Sequence, residues 1–102
     1  MKESCESYLR EQFGDDADVI GEIYGEYVSS IKEKIGEAES ALGASEWERL
    51  DKVAHTVKGN ALASGDAEMA EVAITLRKAA ALGDVAQAGA LIARMKELTA
   101  LL

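Results

Sequence analysis

The chain has 102 residues, a formal net charge of −8, one His, one Cys and no Pro. That length holds one domain, residues 1–102, with enough apolar surface to fold without disulfide or metal staples. The acidic balance argues against nucleic acid and against anionic lipid surfaces, which both demand a basic face. The 48% hydrophobic share argues against a disordered acidic tail.

The absence of proline and the abundance of alanine favour helices throughout. Glycine followed by a capping residue divides the chain: Gly14 before Asp15 and Asp16, Gly43 before Ser45, Gly65 before Asp66, Gly83 before Asp84. Each reads as a helix end in the left-handed conformation followed by the N-cap of the next helix. The spacing predicts helices over 3–13, 16–42, 45–64, 67–82 and 85–101. The first is short and, with Tyr8, Leu9 and Phe13, is expected to cap one end of the molecule. In the second, Ile20, Ile23, Tyr24, Tyr27, Val28, Ile31 and Ile35 recur at spacings of three and four. Gly21, Gly25 and Gly36 lie inside it, read as tolerated in a long, well-packed helix. The third opens on a capping box, Ser45 with Glu48, and continues through Trp47, Leu50, Ala54, Val57 and Ala61. The pattern runs on through Met69, Val72, Ala73, Leu76 and Ala80, then Leu91, Met95, Leu98 and Leu102. Short connections between long amphipathic helices force antiparallel neighbours. The fold class is therefore all-α: an antiparallel up-down four-helix bundle with a short extra N-terminal helix.

Cys5 has no internal partner and the chain shows no secretory leader, so a reducing cytoplasm is the expected compartment. No apolar run approaches the roughly 20 residues of a membrane span. One Cys and one His also speak against a zinc site built from this chain alone.

That leaves His55 as the one nitrogen group suited to chemistry near neutral pH. The stripe from Trp47 to Ala61 sets the core direction of the third helix, and at about 100° per residue His55 points roughly 110° away from it. Asp51 and Lys52 lie one turn before it, Lys58 and Gly59 one turn after. A neutral imidazole keeps a lone pair and is a competent nucleophile toward phosphorus. Phosphoryl transfer asks the protein mostly for positioning and for neutralisation of oxygen charge, a task suited to Lys58. The bland alternative is a solvated histidine beside a solubilising lysine. Gly59 argues against it, because a mid-helix glycine is destabilising unless something must come close.

The run His55-Thr56-Val57-Lys58-Gly59-Asn60-Ala61-Leu62-Ala63-Ser64-Gly65 resembles the signature of histidine-containing phosphotransfer (HPt) domains of two-component phosphorelays. The lead-in through Trp47 and Leu50 and the downstream Met69, Ala70, Val72 and Leu76 are similar too, so the resemblance covers nearly the whole chain. It implies that His55 is the phosphoacceptor, through the ring nitrogen distal to the backbone, with Lys58 neutralising phosphoryl oxygens or the partner's acidic pocket. It implies docking of a response-regulator receiver domain or a hybrid histidine kinase over Gly59, Asn60, Asp51 and Leu62. It implies no cofactor on this chain, the Mg²⁺ and the aspartate being supplied by the receiver, and a monomer. Asn60, Ser64 and Asp66 depart from the residues commoner in that signature. Those departures keep an alternative open, a non-catalytic helical module that binds a receiver or another protein.

Overall fold

The computed structural model describes residues 1–102 as five helices: α1 (Glu3–Phe13), α2 (Ala17–Gly43), α3 (Trp47–Ala63), α4 (Ala67–Leu82) and α5 (Val85–Ala100). Three of the expected N-caps form. Asp16 accepts from the amides of Asp18 and Val19, Asp66 from that of Met69, and Asp84 from that of Gln87. Each carboxylate satisfies amides that the first turn leaves without a helical partner. Gly14, Gly65 and Gly83 take the positive φ angles that their positions demand, +75°, +75° and +62°.

The α2–α3 turn departs from expectation. Gly43 stays helical, and the positive φ (+55°) falls on Ser45. The Ser45–Glu48 capping box does not form; Glu46 stands at the N-cap, and its side chain caps no backbone amide of the helix. The reason lies in how the backbone closes the turn. The Glu46 amide donates to the Ala41 carbonyl at 2.9 Å and the Ser45 amide to Leu42 at 3.0 Å, the paired bonds of a Schellman ending. Closure in that register makes Ser45 the left-handed residue, and a residue so placed cannot also be the extended N-cap. The same paired bonds close α3 around Gly65 (Asp66 to Ala61, Gly65 to Leu62) and α4 around Gly83 (Asp84 to Ala79, Gly83 to Ala80).

Helix α3 packs between α2 and α4, and α5 closes the ring by packing on α4 and α2, so sequential helices are neighbours in an antiparallel four-helix bundle. The expected stripes supply the core, joined by Val53 of α3 and by Ala88 and Ile92 of α5. Trp47 is half-buried rather than a core residue: its ring lies beside Gly83 at the end of α4.

Helix α1 crosses one end of the bundle, as expected, but with a different set of contacts. Cys5 and Leu9 are buried, while Phe13 is half exposed and takes no part. Tyr8 lies so close to Gly65 that a Cβ at residue 65 would overlap its side chain. Lys2 donates from its backbone amide to the Tyr24 hydroxyl (3.0 Å) and from Nζ to Asp66 (2.8 Å). Asp66 is fully buried and also accepts from the Tyr27 hydroxyl at 2.7 Å. One carboxylate thus caps α4, ties it to α2 and holds the chain's start. No helix is long and apolar enough to cross a membrane.

Candidate functional site

The outward face of α3 is set by its inward one. Leu50, Val53, Ala54, Val57 and Ala61 are buried, so the helical period turns His55, Thr56, Gly59 and Leu62 to solvent. His55 is exposed, as the angular argument requires. Around Gly59, a built Cβ meets no atom within 4 Å, so the backbone beside the imidazole faces open space. Leu62, one turn further, is 52% exposed. Lys58 is half-buried, less exposed than its place beside His55 suggests, and forms no ion pair.

The neighbouring helix contributes a residue that the linear sequence does not place here. Arg77 of α4 donates from Nε to Asp51 Oδ1 at 2.9 Å, and its Nη1 lies 3.1 Å from Nδ1 of His55. Asp51, half-buried, is therefore the anchor of a guanidinium rather than a free carboxylate. The hydrogen bond to Asp51 raises the Arg77 pKa above the ordinary arginine value, outweighing the desolvation that lowers it, and the Asp51 charge adds to the rise. His55 thus has one ring nitrogen engaged and one, Nε2, with no partner in the chain.

Between α3 and α4 runs an open groove of about 620 Å³ that Trp47, Asp51, Lys58, Ile74, Arg77 and Lys78 help to line. Its charge is unusual for this chain. Lys52, Lys58 and Lys78 lie on or beside this face without an ion pair, whereas every other Lys and Arg except Lys32 is paired. In the groove beside His55, Lys58, Arg77 and Lys78 face Asp51 and the unpaired carboxylate of Glu48, a local excess of positive charge on a chain whose net charge is −8.

The residues that depart from the signature have places in the fold. Asn60 is half-buried and its amide donates to Ser30 Oγ at 2.8 Å, tying α3 to α2. Ser64 is buried at the end of α3, and Asp66 is the carboxylate that holds Lys2, Tyr27 and the α4 amide together. Contacts within the fold account for the Asn60 and Asp66 side chains. No group of three or more His, Cys, Asp and Glu residues converges as a metal site.

An antiparallel helical bundle carrying an exposed histidine with a lysine three residues on and a bare glycine beside it has the make-up of a phosphotransfer domain. The family model of the Hpt domain matches residues 22–102, and the chain belongs to that family. Hpt domains are cofactor-free histidine phosphotransfer domains of phosphorelays, where they interact with receiver domains or kinases. No curated protein and no solved structure matches the chain. Helix α1 lies ahead of the matched span.

Proposed function

We propose that this domain is a phosphorelay intermediate that accepts a phosphoryl group on Nε2 of His55 and passes it to a receiver aspartate. The observation that carries the reading is an exposed imidazole whose Nε2 meets no partner in the chain, beside open space at Gly59. In the uptake step the Nε2 lone pair attacks the phosphorus of an aspartyl-phosphate on a docked receiver, or of a phosphorylated hybrid kinase. The P–N bond forms as the bond from phosphorus to the aspartate oxygen breaks, and that electron pair stays on the carboxylate. Delivery is the reverse step onto a second receiver. Such transfer needs positioning and charge neutralisation rather than covalent machinery. Lys58 lies within one helical turn of His55 and can face the phosphoryl oxygens. The receiver brings the aspartate and its Mg²⁺, so this chain supplies the nitrogen, the cation and the clearing. Leu62, with the clearing at Gly59 and the rim at Asp51 and Asn60, forms the docking surface. The domain acts as a monomer in the cytoplasm, where receivers reside.

Incubation with a cognate phosphorylated receiver tests this directly. The expected product carries an acid-labile, base-stable label that His55→Gln abolishes. Label that persists in that variant ends the proposal.

A further inference from the structure

The contact between Arg77 and His55 fixes more than the direction of the ring. A guanidinium carries five N–H donors and no acceptor, so Nδ1 of His55 must be the acceptor at 3.1 Å. A neutral imidazole with its lone pair at Nδ1 carries its proton on Nε2. Nε2 in that tautomer has no lone pair with which to attack phosphorus. Asp51 holds the guanidinium in place from its other edge at 2.9 Å. Once Arg77 withdraws, the Asp51 carboxylate, four residues before His55, can accept from an Nδ1–H group and so favour the opposite tautomer.

We propose that Arg77, held by Asp51, is a positioning residue that restrains His55 in both directions by keeping Nδ1 unprotonated, before transfer and in the phosphorylated ring alike. The inference rests on His55 being the phosphoacceptor. Before uptake, Nε2 gives its proton to water and Nδ1 takes one from water, which requires Arg77 to let go. Attack then forms the Nε2–P bond and leaves a cationic ring with Nδ1–H. That proton returns to water, and Arg77 donates again to the freed Nδ1. Release retraces the path: Nδ1 is reprotonated, the P–N bond breaks, and its electron pair remains on Nε2 of a neutral imidazole. Without the Nδ1 proton the leaving group is an imidazolate, a far poorer one. Because uptake and release pass through the same Nδ1-protonated ring, a donor aimed at Nδ1 slows both. A partner whose acidic residues draw Arg77 aside lifts the restraint on docking, so the phosphoryl group is kept between encounters.

His55 is the only histidine, so nitrogen-15 NMR of its ring in the full chain, at about pH 8.5, above the ordinary histidine pKa, reads the tautomer without assignment ambiguity. The Nε2–H form is expected to dominate in the native chain. The Nδ1–H share should rise in Arg77→Met and dominate in Arg77→Glu, which offers an acceptor. Arg77→Lys, which keeps a donor, should stay nearer the native pattern. With phosphoramidate as a small phosphodonor that needs no docking, uptake and spontaneous loss of the label should both be about tenfold faster in Arg77→Met, the lower end of what a charged hydrogen bond contributes. Unchanged tautomer shares between the native chain and Arg77→Met overturn the inference, and so do shifted shares with unchanged rates. Loss of helical circular dichroism in Arg77→Met would mark a folding defect, and Arg77→Glu then carries the comparison, its tautomer shares unchanged from the native chain overturning the inference. Failure of the phosphoacceptor reading is separate: it appears as label surviving His55→Gln, whatever the tautomer spectrum shows.

Discussion

At the scale of single residues, the arrangement around His55 separates what a docking partner needs from what the helix needs. Gly59 is unfavourable for α3, by about 1 kcal/mol against a good helix former, yet nothing in the fold occupies the space beside it. Gly59→Leu is therefore expected to raise the stability of the isolated domain by up to that amount, read by chemical denaturation, while stopping transfer from a receiver. Unimpaired transfer in that variant would show that the clearing has no part in docking. Lys58 carries the complementary role in charge. It is half-buried and unpaired, so Lys58→Ala should leave the helical content intact and slow transfer about three- to tenfold in a single-turnover assay. That is well below the 10²–10³ lost with a buried oxyanion donor, because solvent screens a site this open. Much of this was legible in the sequence. The spacing of Leu50, Ala54, Val57 and Ala61 turns His55 outward whatever the details of packing. Arg77 was not legible: on α4 it flanks the stripe of Ala73, Leu76 and Ala80 like any solubilising cation. Only the lateral register of α4 on α3 brings it to Asp51 and His55.

At the scale of the elements, the turns show how backbone closure overrides side-chain signals. All three bundle turns end a helix with the same pair of hydrogen bonds, and two of them place glycine at the left-handed position. The third places Ser45 there, at φ +55°, because the bonds from Glu46 to Ala41 and from Ser45 to Leu42 put the reversal two residues after Gly43. A left-handed L-residue is disfavoured by about 1–2 kcal/mol. Ser45→Gly should thus stabilise the domain by about 1 kcal/mol, partly offset by the greater freedom of glycine in the unfolded chain. A thermal or denaturant midpoint that does not rise in that variant would count against the strain. The expectation of a capping box failed here because Ser45 and Glu48 have the right spacing, and spacing carries no information on which residue the preceding helix needs for its own ending. At Gly65 and Gly83 the two demands fall on different residues, and the sequence reading matched the structure; Gly14 has the positive φ but an extended ψ of −158°, so α1 ends without the left-handed turn that was expected.

At the scale of the whole molecule, the buried polar cluster at one end makes stability depend on pH in a direction that its pKa shifts fix. Burial pushes the Tyr27 hydroxyl far above the usual tyrosine value, and the hydrogen bond to Asp66 pushes it further. Burial likewise raises the Cys5 thiol and the Tyr24 hydroxyl. Burial by itself lowers the Lys2 ammonium, but its bonds to Asp66 and Glu68 outweigh that and leave it raised. In each case the native state holds a proton that the unfolded chain gives up more easily. The contribution is complete below the unfolded values and is lost progressively as pH rises from them, about pH 9 upward, towards the higher folded values. The free energy of unfolding is therefore expected to fall on the alkaline side. Tyr27→Phe should lower stability at neutral pH by about 1–3 kcal/mol, since Asp66 loses a donor, and should flatten the alkaline decline, both read from denaturant titrations at a series of pH values. A decline as steep in Tyr27→Phe as in the native chain would remove Tyr27 from that account.

Apolar periodicity, helix punctuation and the outward direction of His55 are local properties, fixed by the 3.6-residue turn and by the chemistry of neighbouring side chains, and the sequence by itself determined them. The ring of four helices followed from them, because short connections leave antiparallel packing as the way to bury each stripe. The partner of Nδ1, the pairing of Asn60 with Ser30 and the meeting of Lys2, Tyr27 and Asp66 were decided by tertiary structure alone. Each joins residues at least 22 positions apart through the rotation and sliding of one helix on another. That degree of freedom is set by the interlocking of many side chains at once and leaves no trace at any single spacing along the chain.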